Sequence, residues 1–235
     1  MRKFRQFTVP EFSNYISSVP VKRNINHIQI HHTWKPRKAD YRGESTIRGM
    51  WQYHTQTNGW QDIAQHFSIA PDGTIWDGRS LDVTPAGIAG YNAGGLMFEI
   101  IGDFDIGQDK LDNSQLFAVA RAIIACQDRF KLKNANIVFH REYNAAKSCP
   151  GTSIERYSFL NVIDRERKAM QQPKEKLPVI ERRIKGFYND ETEPMEFYII
   201  NGVTYNPTRS LIEGKMGVPV HFKGDECRIN NRIWK

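Results

Sequence analysis

The sequence predicts an α/β fold, a central sheet covered by helices, with a small α+β module after it. Three observations lead there. The run LMFEII at residues 96–101 is almost continuously apolar, as a strand buried inside a helix-covered sheet is. Residues 113–130 carry Leu116, Val119, Ala120, Ile123, Ile124 and Phe130 at helical spacing. Beyond them, residues 168–178 are polar and charged and hold two prolines, the composition of a linker. A chain of 235 residues has room for one mid-sized domain and a small second one. The boundaries predicted are a first domain over 1–167, a linker over 168–178 and a module over 179–235.

In order along the chain, residues 25–32 (INHIQIHH) place Ile28 and Ile30 at alternate positions and read as a strand delivering His31 and His32 to its C-terminal end. Residues 46–58 hold Met50, Trp51 and His54 at helical spacing and close on Asn58-Gly59, a C-cap signal. Two short strands follow, around 64–69 and 74–77. Pro71-Asp72-Gly73 joins them, with proline presetting one dihedral and glycine supplying the permissive one. The strand at 96–101 is expected to be covered on both faces. The helix at 113–130 starts at Asp112-Asn113-Ser114 and holds Cys126 as an inert core thiol. Residues 136–140 (NIVFH) are a further strand ending in histidine, and 153–167 a last helix. The tail alternates short apolar stretches with Asn-Gly and Lys-Gly turns, with one short helix around 210–215.

Composition excludes several classes. Hydrophobic residues at 40% and charged residues at 25% are ordinary globular values. No apolar run approaches the roughly 18 residues of a membrane span, and mean hydropathy is −0.58. No membrane insertion is expected. The first 18 residues lack the apolar centre of a secretory signal. Lys and Arg total 33 against 26 Asp and Glu, a net charge of +7 that favours anionic partners. The basic residues are scattered and form no nucleic-acid motif, so no nucleic-acid role is expected. Three cysteines, Cys126, Cys149 and Cys227, form neither an even framework nor a CxxC pair.

Chemistry concentrates at two strand ends. Nine residues after His140 comes Cys149, in HREYNAAKSCPG. Imidazole nitrogen and thiolate sulfur suit zinc, and three protein ligands leave a fourth position open, as catalytic sites do. Spacing alone leaves His31, His140 and Cys149 either a zinc site or three unrelated packed residues. Glu99, a lone carboxylate in an apolar strand, must be paired, protonated or metal-associated, because burying it bare would cost several kcal/mol.

The ordered motifs IQIHHTW, GWQDIAQHFSIAPDGTIWDGR, GYN, FEIIGDF and FHREYNAAKSCPG resemble the type 2 N-acetylmuramoyl-L-alanine amidases, the zinc fold shared with peptidoglycan recognition proteins and phage lysozyme-type amidases. The resemblance spans about residues 25–151. It implies a mixed central sheet, one zinc ion (Zn2+) per chain in a groove, and hydrolysis of the amide between muramic acid and L-alanine of peptidoglycan. Carried over by position, it implies His31, His140 and Cys149 as metal ligands, with His32 facing away. It implies Lys147 as the catalytic lysine that steadies the oxyanion. Phage-type members carry a tyrosine where this chain has Gln65, which cannot exchange a proton at useful pKa. Members without that tyrosine carry a glutamate on the next central strand, and Glu99 stands there as proton carrier. His66 is expected to be structural, and Trp60, Arg79 and Asn92 to line the substrate groove; Trp76 is a further candidate.

The tail, notably NGVTYNPTRSLIE and the Gly-Val step after it, is similar to copper amine oxidase N-terminal-like modules of bacterial wall proteins. That likeness implies wall binding or self-association, without a copper site, and leaves Cys227 a free thiol. Together these expectations describe a phage or prophage endolysin, made in the cytoplasm without a signal peptide and acting on the bacterial cell wall after release. The alternative is a peptidoglycan-recognition module that binds without cutting.

Overall fold

The computed structural model of the protein describes residues 2–171 throughout and, beyond them, the course of six strands between residues 182 and 234. The chain divides into two units, Met1–Gln171 and Gln172–Lys235. The first unit is built on six strands: β1 (Gln6–Phe7), β2 (His27–His32), β3 (Phe67–Ile69), β4 (Ile75–Asp77), β5 (Gly95–Ile100) and β6 (Ile137–Phe139). They lie in the order β1-β4-β3-β5-β2-β6. Strands β3, β5, β2 and β6 are parallel neighbours, while β4 runs antiparallel to β3 and to β1. The sheet is therefore mixed, and its helices are α1 (Val9–Ser18), α2 (Glu44–Gln52), α3 (Asn113–Phe130) and α4 (Arg156–Gln171).

Alternation along the central strands separates two environments. Ile28 and Ile30 of β2 and Leu96, Phe98 and Ile100 of β5 enter the main core, with Phe12 and Ile16 of α1, Val119 and Ile123 of α3, and Phe159 and Ile163 of α4. Helices α1 and α4 both pack on α3. A smaller core on the other side gathers Ile47 and Met50 of α2 with Ile63, Trp76 and Ile101. Trp76 thus belongs to the scaffold. The intervening residues of the central strands, His27, Gln29, His31, Met97 and Glu99, share the remaining face, since β2 pairs Gln29 with Met97 and His31 with Glu99. Covering on both faces was expected for β5. Instead one face is under helices and the other floors a groove at Glu99, which is why a carboxylate is tolerated within LMFEII.

Other differences have local causes. The strand expected over 64–69 starts only at Phe67, because the Ala64 N–H bonds His54 Nδ1 (3.2 Å) and Gln65 O takes the Arg79 N–H (2.8 Å). The helix expected over 46–58 is α2 followed by a single π turn, Tyr53–Thr57, closed at Gly59, whose φ of +69° requires glycine. Helix α4 runs to Gln171, past the predicted linker start. Lys168, Ala169 and Met170 are good helix formers, and the first breaker, Pro173, stands beyond its end. Helix α1 escaped the sequence reading, although Thr8 and Glu11 form a capping box in which the Thr8 N–H donates to Glu11 Oε2 (2.7 Å). Cys126 is fully buried in α3, and desolvation drives its thiol pKa well up. Among the described residues, no helix is long and apolar enough to cross a membrane.

In the second unit, β7 (Arg182–Gly186), β8 (Met195–Ile200), β9 (Val203–Tyr205), β10 (Val220–Lys223), β11 (Glu226–Ile229) and β12 (Arg232–Trp234) form one sheet, each strand antiparallel to the next. The helix expected around 210–215 and the thiol of Cys227 lie outside the described residues and side chains.

Candidate metal centre

The carboxyl ends of three parallel strands converge on one spot. His31 is the penultimate residue of β2, and its neighbour in the ladder is Glu99 of β5. Strand β6 ends at Phe139, and His140 opens a 3₁₀ turn. Glu142 fixes that turn: its Oε2 accepts from the Phe139 N–H (2.8 Å), while Arg156 of α4 pairs with Oε1 (2.9 Å). Cys149 returns to the same place because Cys149 O accepts the Arg141 N–H (2.9 Å) and the Arg141 guanidinium holds Gly151 O (2.7 Å). Gly151, at φ +118°, presses on the Phe104 backbone, where any Cβ would collide.

His31, His140 and Cys149 thus form a group whose ligand atoms lie within 4.8 Å of one another, a set that can hold a metal ion. His31 Nδ1 stands 3.5 Å from Cys149 Sγ, and the two imidazole centroids are 4.7 Å apart. The donor chemistry fits a zinc-like ion. Burial first, then His140 and His32, depress the His31 pKa to about 3, and burial and then Lys147 depress that of His140, so both rings are neutral and hold free lone pairs. Burial lifts the Cys149 thiol to about 12, against a partial counter-effect from the His32 N–H, which donates to Sγ at 3.4 Å. A cation beside the thiol reverses that penalty by favouring thiolate.

The group opens into a cavity of about 450 Å³ lined also by Glu99, Lys147, Trp60 and His54. A second cavity of about 630 Å³, between the Trp34 loop and α2, shares Thr33, Trp34, His54 and Glu99 with it, so Glu99 stands where the two meet. Its Oε2 is buried without a hydrogen-bond partner, and desolvation pushes its pKa up to about 8. Lys147 is exposed at the rim. Trp60 lies on His54, with ring centroids 5.0 Å apart. Gln65 stands outside this lining: fully buried, it donates from Nε2 to Ser68 Oγ (2.8 Å). His66 is tied into the sheet, accepting from the Met97 N–H (2.9 Å) and donating to Val83 O (2.9 Å).

The other expected groove residues stand elsewhere. Arg79 spends its guanidinium on Ile63 O, Asp62 O and Thr84 O, and Asn92 Oδ1 accepts the Gly87 and Ile88 N–H groups, so each folds a loop and neither lines the cavity. A further groove residue, His54, was read from sequence only as a helix position and not as part of the site. The signal for His54 was its place one turn before Asn58-Gly59 at the mouth of the groove, which only the π turn makes visible.

The arrangement defines an α/β protein with a His-His-Cys group that can hold a metal ion at the carboxyl edge of its sheet. The chain belongs to the N-acetylmuramoyl-L-alanine amidase family (Amidase_2), whose model matches residues 21–152. A human N-acetylmuramoyl-L-alanine amidase is 27% identical over 135 residues, covering 55% of this chain and 23% of that protein; the chain therefore spans less than a third of that curated relative. A Drosophila PGRP-LB variant solved with tracheal cytotoxin is 26% identical, with a TM-score of 0.51 over 59% of this chain and 82% of that one. The endolysin amidase LysCS of Clostridium intestinale, 22% identical, shares the fold with a TM-score of 0.51 over 60% of this chain and 85% of that one.

Proposed function

We propose that the chain hydrolyses the amide between N-acetylmuramic acid and the L-alanine of the peptidoglycan stem peptide, and does so with zinc. The observation that carries this reading is the convergence of two imidazoles and one thiol within 4.8 Å, beside the Glu99 carboxyl, whose Oε2 is buried without a partner at the floor of an open groove. Bound there by His31, His140 and Cys149, zinc supplies Lewis acidity that polarises a carbonyl and makes nearby water easier to deprotonate. Glu99 takes the proton of the attacking water and returns it to the leaving nitrogen as the C–N bond breaks, a role suited to a carboxyl with pKa raised toward neutrality. Lys147 holds positive charge at the rim, where the carbonyl oxygen becomes anionic. Trp60 and His54 form the wall against which substrate lies.

The partner is peptidoglycan of a bacterial wall. Residues 179–235 serve as a wall-binding or self-association module, and the whole acts as a phage or prophage endolysin whose net positive charge draws it to anionic wall polymers. Recognition without cleavage is the alternative, favoured by the likeness to PGRP-LB held with tracheal cytotoxin. One experiment separates them: purified peptidoglycan is incubated with protein of measured metal content, and new L-alanine amino termini and peptide-free glycan are assayed. Zinc at one per chain with both products supports amidase action. Tight binding of fragments without either product supports recognition.

A further inference from the structure

We propose that Gln29 is a positioning residue for the metal centre, holding His31 in the tautomer that carries its proton on Nε2 and turns Nδ1 toward the metal. His27, Gln29 and His31 alternate along β2 onto one face and are all buried, at 3%, 0% and 3% exposure, so each polar atom among them needs a partner. The orientation of the Gln29 amide follows from its neighbours. Its Nε2 donates to Tyr91 O at 2.9 Å and meets His27 Nε2 at 3.1 Å. His27 Nδ1 in turn meets Asn26 Oδ1 at 2.7 Å and must be the donor there, which leaves His27 Nε2 as an acceptor. Both amide hydrogens of Gln29 are thereby used. A flipped amide would set oxygen against the Tyr91 carbonyl, so Oε1 faces the other way.

On that other side two buried polar atoms lack partners, Gln29 Oε1 and His31 Nε2. They lie against the same point: a Cβ on Gly87 would stand 2.5 Å from Gln29 Oε1 and 2.8 Å from His31 Nε2. One is an obligatory acceptor. The other is a donor whenever the ring offers its Nδ1 lone pair, and Nδ1 is the nitrogen that faces Cys149 Sγ at 3.5 Å. Two complementary orphans that face the same point complete each other through one bridging water. Glycine at 87 leaves the space for this, and Asn92, by accepting the Gly87 and Ile88 N–H groups, holds that loop in place. The chain Asn26–His27–Gln29–His31 therefore transmits order from the far end of β2 to the ligand, as outer partners of metal-bound histidines do.

The inference rests on the proposal that the trio binds zinc, and the test separates the two. Zinc affinity is measured by chelator competition for the full chain and for its Gln29→Leu and Gln29→Glu variants, with nitrogen-15 NMR of the histidine rings in the zinc-loaded proteins. Expected are zinc bound through His31 Nδ1, a slowly exchanging Nε2–H in the wild type, a 10- to 100-fold loss of affinity in Gln29→Leu, and affinity restored by Gln29→Glu, whose buried, protonated carboxyl keeps an O–H for Tyr91 O and a carbonyl acceptor for His31. Wild-type protein that binds no zinc overturns both proposals. Zinc bound at unchanged affinity by folded Gln29→Leu, or through His31 Nε2 in the wild type, overturns this one alone. Should Gln29→Leu not fold, the wild-type Nε2–H signal and the Gln29→Glu affinity still decide: a fast-exchanging Nε2–H or a loss in Gln29→Glu as large as 10-fold overturns it.

Discussion

Glu99→Gln separates function from stability at a single atom. The substitution keeps volume and shape, and it replaces an unpartnered buried carboxyl whose pKa is pushed from its ordinary 4.5 up to about 8. In the metal-free protein the folded state holds this proton more tightly than the unfolded chain does. Its stabilising effect is full below pH 4.5 and is lost as pH rises through about 8. Linkage sets a ceiling of about 5 kcal/mol for that loss, and water entering the open groove reduces it. Glutamine does not titrate, so we expect chelated Glu99→Gln to match the wild type near pH 4.5 and to exceed it by about 2 kcal/mol or more at pH 9. The assay is urea unfolding of both proteins, chelated, at pH 4.5, 7 and 9; differencing the two cancels every other titrating group. On zinc-loaded protein the same change should lower turnover by on the order of 10²–10⁴ with metal retained. The reasoning is refuted if the stability difference does not grow with pH. It is equally refuted if the variant keeps more than about half of its turnover with full zinc.

Cys149→Ser should bind zinc far more weakly by chelator competition, a neutral hydroxyl replacing a soft anion, whereas Cys126→Ser should leave metal content unchanged, since Cys126 lies buried inside α3. Zinc binding near pH 7 should release at least one proton per ion, because the Cys149 thiol is raised to about 12 without metal; calorimetry in buffers of different ionisation enthalpy reads this, and affinity should fall as pH falls. Lys147→Ala should reduce turnover about 10²-fold while metal content stays at wild type, as measured by steady-state kinetics beside metal analysis. Ending the chain after Gln171, where α4 stops, should leave a folded protein that cleaves soluble muropeptides but sediments less with intact walls. Loss of activity on the soluble fragments would make the second unit part of the catalytic one.

His31, His140 and Cys149 were singled out through the family resemblance, spacing alone leaving them open, and they meet within 4.8 Å because parallel strands carry their C-terminal residues to one edge. Helix α3 was legible because its apolar period is regular over five turns. What escaped did so for physical reasons. A π turn differs from an α turn in hydrogen bonding, which the pattern around His54 does not encode. Arg79 and Asn92 carry side chains suited to substrate, yet they satisfy backbone carbonyls and amides inside loops, and such partners have no sequence signature. The coverage of β5 was misjudged because an apolar run of residues reports burial without saying which neighbour does the burying. Helix α1 had a capping signal in Thr8 and Glu11 that the basic start of the chain obscured.

The polar face of the central strands sets the groove apart from the rest of the sheet. His27, Gln29, His31 and Glu99 occupy positions that an ordinary sheet would fill with apolar residues, and their opposite neighbours Ile28, Ile30 and Phe98 are fully buried in the main core. The backbone ladders with β5 and β6 hold β2 in register, and its apolar side chains pack under the helices, so the groove face is free to carry polar groups. Two of them, Gln29 Oε1 and His31 Nε2, are left to each other, and Glu99 Oε2 has no partner among the described residues. On the proposed function, a cation held there would favour the Cys149 thiolate and give the Glu99 carboxylate a positive neighbour. On that reading, metal loading should raise the unfolding temperature by the amount that its affinity for the native state and the free metal concentration set.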